Sequence, residues 1–214
     1  MSEVPIKPAW IRRLDDGLKT LDLSLPAEVS KQLLQFIALL IKWNRAYNLT
    51  AIKDPLEMVD RHLIDSLSIL GYVQGSHILD MGTGPGLPGI PLALALPESR
   101  FVLLDSNRKK IRFVRQAMME LGLENIQPVQ ARIESYHSEL PFDCLISRAF
   151  TSLPNMLALT KSVLGEHTRL LAMKGSIPQD EIDQITPQYQ ATAVALKVPA
   201  RLGERHLIVI SKST

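Results

Sequence analysis

Residues 77 to 96 read HILDMGTGPGLPGIPLALAL, and the chemistry of the chain is concentrated in that stretch. An apolar, strand-like run carrying Asp80 breaks into Gly82, Gly84, Gly86 and Gly89, stiffened by Pro85 and Pro88, before an apolar helical run begins. Glycines let backbone approach a ligand closely and take positive φ angles, and free amides at the start of the next helix favour an anionic group. The turn is therefore expected to hold a small molecule. Gly84, Gly86 and Gly89 satisfy G-x-G-x-x-G, and Asp105 closes the next apolar run about 20 residues on, where a dinucleotide fold places its ribose-binding acid. A nicotinamide-dependent oxidoreductase passes this test.

Counted from Asp80, the same loop also matches D/E-x-G-x-G-x-G, the pattern of methyltransferases that use S-adenosylmethionine. That molecule has no phosphate; it offers an amino-acid end and a ribose. Asp80 is expected to face the ammonium, and Asp105 to take the ribose hydroxyls. The acid ahead of the glycines favours the methyl-transfer reading.

The elements that must position this loop follow from periodicity. Residues 10 to 72 carry helix signals, with Pro26 and Pro55 opening two of the runs and Val29, Leu33, Phe36, Ile37, Leu40 and Ile41 at helical spacing. After Gly75 come seven short strand-like runs, at 77–81, 101–105, 126–131, 142–147, 168–173, 191–198 and 206–211. The first five alternate with helix-like stretches, the pattern of right-handed βαβ crossovers. Only PARLGER joins the last two, too short for a parallel crossover, so they are expected to form an antiparallel hairpin. The expected fold is α/β and Rossmann-like: a helical extension over 1–74, then a methyltransferase domain over 75–214 with five parallel strands followed by a reversed pair. The extension is expected to cover one edge of the sheet.

Composition bounds the rest. A chain of 214 residues suits one moderate domain with an extension. With 24 basic and 22 acidic residues, net charge is only +2, so any anionic partner must be met by a local patch. The greasiest stretch, Leu33 to Ile41, is far shorter than the roughly 20 residues of a membrane crossing, and no secretory signal is expected at the start. A cytoplasmic protein is expected. The single cysteine, Cys144, excludes a disulfide framework within the chain and reads as apolar filler, and no metal site is expected.

DMGTGPGLPGIPLA, WNRAYNLTAI, RHLIDSL, SRAF, LAMKG and ERHLIVI together resemble the ribosomal RNA small-subunit methyltransferase G family, also called glucose-inhibited division protein B, over essentially the whole chain. The resemblance implies methyl transfer from S-adenosylmethionine to N7 of a guanine in the 530 loop of 16S rRNA, nucleotide 527 in the family. It places cofactor contacts on Gly82, Leu87, Ile133, Glu134 and Arg148, joined on the physical argument by Asp80, Gly84, Gly86 and Asp105. Asn48, His62, Arg132, Arg148 and Lys174 become substrate-positioning residues, with 16S rRNA or the small subunit as partner and no obligate protein partner evident.

Guanine N7 has an exposed lone pair and no proton, so no general base is expected. In agreement, SRAF stands where amino-methyltransferases carry NPPY, and no cysteine pair is available to attack a pyrimidine. A non-enzymatic RNA-binding protein on the same fold would leave the glycine loop without a purpose. Arg108, Arg112 and Arg115 recur at i, i+4 and i+7, with Lys109 and Lys110 beside them; such a stripe either neutralises phosphates or is a solvated helix face. Tyr47 and Phe150 either hold an exposed base or simply pack.

Overall fold

Runs that are apolar on both faces become central strands, and runs that keep polar residues become edges. The computed structural model describes residues 4–148 and 151–213. The strands are β1 (His77–Met81), β2 (Arg100–Asp105), β3 (Ile126–Gln130), β4 (Cys144–Arg148), β5 (Arg169–Lys174), β6 (Tyr189–Ala195) and β7 (His206–Lys212), ordered β3-β2-β1-β4-β5-β7-β6 in one sheet. β1, β2, β4 and β5 are almost wholly buried, whereas β3 and β6, with half their residues toward water, form the edges.

β1 to β5 pair in parallel, and β7 runs antiparallel to both β5 and β6. The hairpin forms as expected, but only β7 is reversed. β6 runs with the first five strands, because the chain first crosses to the far edge and then folds back through residues 196–205 to fill the space beside β5.

Helices α5 (Gly89–Ala95), α6 (Arg108–Leu121) and α7 (Leu153–Leu159) cover the crossovers after β1, β2 and β4. Between β3 and β4 there is no such helix. The polar ESYHSEL stretch has no apolar stripe to bury and forms one 3-10 turn at Ile133–Ser135. A four-residue helix, α8 (Gln179–Ile182), precedes β6.

The N-terminal part forms α1 (Pro8–Thr20), α2 (Ala27–Tyr47), α3 (Pro55–Met58), a π-helical segment (Val59–Ile64) and α4 (Asp65–Leu67). Leu33, Phe36, Ile37 and Leu40 of α2 are fully or almost fully buried and share one cluster with Ile90, Phe113 and Val114 of α5 and α6 and with Phe101 and Leu103 of the sheet. Phe36 and Trp43 stand 6.0 and 5.8 Å from Phe113, ring to ring. The extension therefore lies over the helices on one sheet face and not along an edge. The reason is apolar area: Phe113 and its neighbours offer a surface to bury, worth about 1.5–3 kcal/mol per large side chain, and the polar edge strands do not. A second cluster, from Leu79 and Met81 to Leu157 and Ile210, fills the other face under α7.

Candidate functional site

Sheet order reverses at β1, which neighbours β2 on one side and β4 on the other; a crevice beyond the carboxyl ends of the strands is expected there. The glycine loop leaves β1 at this point. Gly82, Gly84 and Gly86 all take positive φ, of 67°, 60° and 90°. At Gly84 this turns the backbone N–H inward, where it donates to Asp105 Oδ2 at 2.9 Å. At Gly89 the requirement is space, since a Cβ there would lie 2.7 Å from Asp80 Oδ2 and collide with Leu103.

Asp80 lies buried beneath the loop. Its carboxylate is 0% exposed, and Oδ2 accepts from Thr83 Oγ1 at 2.6 Å and from Gly89 N at 2.8 Å. The group ties both ends of the loop together and is not among the residues that line the cleft at Asp105. Gly89, the first residue of α5, packs directly against the side chain. Burial raises its pKa from 3.8 to about 6, against the pull of the Thr83 and Gly89 hydrogen bonds, and Oδ1 has no partner among the described residues.

Asp105 does reach the crevice. It lines a cleft of about 260 Å³ with Gly82, Leu104, Ser106, Lys110 and the segment Ala131–Glu134. Its Oδ1 accepts from Asn107 N at 2.8 Å, and Lys110 Nζ stands 3.8 Å from Oδ2. Each oxygen keeps lone-pair capacity for a further donor, so a ribose diol can be bound here while Leu104, Ala131 and Ile133 offer apolar walls for a purine. The cleft gathers the sequence-derived residues Gly82, Asp105, Ile133 and Glu134, and also Arg132, which the resemblance assigns to the other substrate. The donor set and walls fit the nucleoside end of S-adenosylmethionine. Leu87 is buried in the core and donates its N–H to Thr83 O at 2.7 Å; with Gly86 it shapes the loop from behind.

A second cavity, of about 410 Å³, lies over the ends of β4 and β5 and is walled by the extension. It collects His62, Arg148 and Lys174 with Arg61, Asp65 and Arg205. Arg148 donates to Arg61 O at 2.8 Å and lies 3.4 Å from Asp65 Oδ2, while Arg205 Nε donates to Asp65 Oδ1 at 2.8 Å. Arg148, expected both at the cofactor and at the substrate, lines this cavity. Lys174 Nζ pairs with Glu181 at 3.0 Å. His62 Nε2 meets Thr50 Oγ1 at 3.1 Å, and burial, then the charge of Arg148, lowers its pKa to about 4, leaving a neutral imidazole at pH 7. Asn48 is not in either cavity: it ends α2 in the left-handed conformation at φ 50° and is exposed. Tyr47 stacks on Trp43 at 5.1 Å, and Phe150 lies outside the described residues.

Sequence reasoning missed the acids that hold the arginines. Asp65 takes Arg148 and Arg205, and Asp60 takes Arg13 at 2.9 Å and Arg201 at 2.8 Å. Asp60 lies in the π-helical turn and Asp65 caps it, its N–H bonding back to Asp60 O, five residues earlier. Two inward acids in VDRHLID were the available signal. Burial pushes the Cys144 thiol up to about 12, so it carries no nucleophile.

A family profile described as rRNA small subunit methyltransferase G matches residues 29–208. The chain belongs to this family. Among its relatives, the Ribosomal RNA small subunit methyltransferase G of Escherichia coli strain K12 / DH10B is 50% identical over 94% of this chain and 97% of its own length, and that of Shigella boydii serotype 18 shows the same figures. Solved structures extend the likeness of fold: a ribosomal protein L11 methylase from Lactobacillus delbrueckii subsp. bulgaricus has a TM-score of 0.56 at 15% identity, over 72% of this chain and 79% of that one. A precorrin-6y C5,15-methyltransferase from Geobacter metallireducens reaches 0.50 at 14% identity, over 70% and 88%. Membership in the methyltransferase G family settles the choice between methyl transfer and hydride transfer that the glycine loop alone left open. No helix among the described residues is long and apolar enough to cross a membrane.

Proposed function

We propose that the protein transfers the methyl group of S-adenosylmethionine to N7 of a guanine in the 530 loop of 16S rRNA, in the cytoplasm, with residues 75–214 as the catalytic domain and 1–74 as its helical extension. The observation that carries the reading is the pair of cavities on either side of the β1–β4 switch, one rimmed by Asp105 and one by Arg148, in a chain of this family.

When bound, S-adenosylmethionine supplies an electrophilic methyl carbon. The protein's own residues do the rest by placement. Asp105 and the Ala131–Glu134 segment hold the nucleoside end, and the glycine loop, tied by Asp80, fixes how deep it sits. His62, Arg148 and Lys174 line the place offered to the base. N7 carries a lone pair and no proton, so no side chain has to remove one; orientation and exclusion of water supply the acceleration. Neutral His62 suits this role. The methylated guanine is cationic, and an uncompensated positive charge beside it would oppose its formation. Arg148 is compensated by Asp65 and Lys174 by Glu181, so both can position phosphate or base edges at a smaller electrostatic penalty.

The test is mass spectrometry of 16S RNA from cells with and without the protein, together with methyl incorporation by the purified protein. A 7-methylguanine in the 530 loop that disappears with the protein is expected. An unchanged 530 loop, or a methyl group on another atom of the base, refutes the reading.

A further inference from the structure

We infer that the outer stripe of α6 is an RNA-docking surface that seats on backbone phosphates beside the target guanine. The inference rests on the rRNA reading above and names the surface it uses.

Three observations converge on it. First, Arg108, Arg112 and Arg115 are all exposed, at i, i+4 and i+7 of one helix, with Lys109 exposed beside Arg108. Successive members of such a row stand roughly 5–6 Å apart, so the three guanidinium groups form a line of charge. Second, no carboxylate among the described residues pairs with these three, so their charge is turned to solvent unneutralised. A merely solvated helix face usually alternates its charges; Glu120, at the far end of α6, is bonded instead to Gln116. On a chain whose net charge is only +2, this is a local concentration of unneutralised cations.

Third, the stripe begins at the site and runs past the end of α2. Its first turn is capped by Asn107, whose N–H bonds to Asp105, and Lys110 of that turn lines the cofactor cleft. Further along, Arg112 lies over the Tyr47 ring at 5.9 Å, next to the exposed Asn48. Holding an arginine over an aromatic ring reduces the freedom it must lose on meeting a phosphate. The row therefore leads from the cleft toward the end of α2, and an RNA strand lying on it would have a nucleotide near the β1–β4 switch. Asn48, which neither cavity explains, acquires a place at the outer end of that track.

The experiment uses the full chain and a naked 16S RNA fragment containing the 530 loop. Binding is followed by filter retention from 50 to 200 mM KCl for the wild type, for Arg112→Gln/Arg115→Gln, and for Lys161→Gln/Lys212→Gln. The last pair removes the same charge from sites off the α6 face. Each lost single-strand phosphate contact flattens the plot of log K against log salt by about 0.7, so the α6 pair is expected to flatten it by about 1.4 and to raise KM for RNA. Its affinity for S-adenosylhomocysteine is expected to stay unchanged, and the lysine pair to match the wild type. An unchanged slope for the α6 pair, or an equal loss in the lysine pair, overturns the inference. A loss confined to whole ribosomal subunits, with naked RNA bound normally, also overturns it and assigns the stripe to a protein partner. Methyl incorporation by the wild type, scored separately, tests the function itself.

Discussion

Replacing Asp80 by asparagine separates what its charge does from what its shape does. In the folded protein the carboxyl ionises at about 6, against 3.8 for an ordinary aspartate. At about 1.36 kcal/mol per pH unit the difference amounts to about 3 kcal/mol. The sign follows from which state binds more protons. A raised folded-state pKa means that the native protein holds the proton longer than the unfolded chain, so this contribution to stability is fully present below 3.8 and is lost as pH rises through about 6. The substituted amide cannot ionise. The stability of Asp80→Asn minus that of the wild type is therefore expected to rise with pH, by about 3 kcal/mol in all and by about 1.4 kcal/mol between pH 5 and pH 8. A constant offset lies beneath this trend. The amide oxygen can still accept from Thr83 and Gly89, but the amide nitrogen falls where Oδ1 has no partner, which costs about 1–3 kcal/mol at every pH. Urea unfolding of both proteins at pH 5, 6, 7 and 8 gives the difference directly, and every other titrating group cancels in it. Two parallel stability curves would refute the reasoning, because Asp80 would then be solvated or already paired.

His62 is expected to show the opposite trend. Its pKa is lowered from 6.5 to about 4, so its contribution is present above 6.5 and lost as pH falls through about 4; His62→Gln should remove about 3 kcal/mol of acid sensitivity between those limits, read by the same unfolding series. Asp65→Ala leaves Arg148 and Arg205 without their shared acid at the wall of the second cavity, and a loss of about 3 kcal/mol together with a fall in RNA methylation is expected from denaturation and incorporation assays.

The sheet was legible because its signal is local. HILDM, FVLLD and HLIVIS are short apolar runs bounded by turn residues, and each became a strand within a residue or so of the expected bounds. The direction of β6 was not legible, since a hairpin specifies only that β6 and β7 oppose each other; which of them lies against β5 depends on where the preceding fifteen-odd residues travel. The position of the extension was hidden for a similar reason. The apolar stripe of α2 announces that it will be buried, but its partner, Phe113 of α6, is set by the completed crossover.

The site divides along the same line. Residues whose work is done by the backbone, such as Gly82, Gly84 and Gly86, were readable from type and spacing because few other residues tolerate their φ angles. Asp105 was readable because a strand end fixes where a side chain emerges. Asp80 was readable as important, and the structure gives it a second task in holding the loop. Its sequence position serves equally for an acid that meets a ligand and for one that draws the loop shut, and the bonds to Thr83 and Gly89 could not be read from sequence. The four arginines on Asp60 and Asp65 come from α1, from the end of β4 and from two places in the β6–β7 link, so no local pattern announces them. The Asp65 pairs also explain how the extension and the sheet come to share a site: Asp65 binds Arg148 from the end of β4 and Arg205 from the β6–β7 link, and all three line the second cavity.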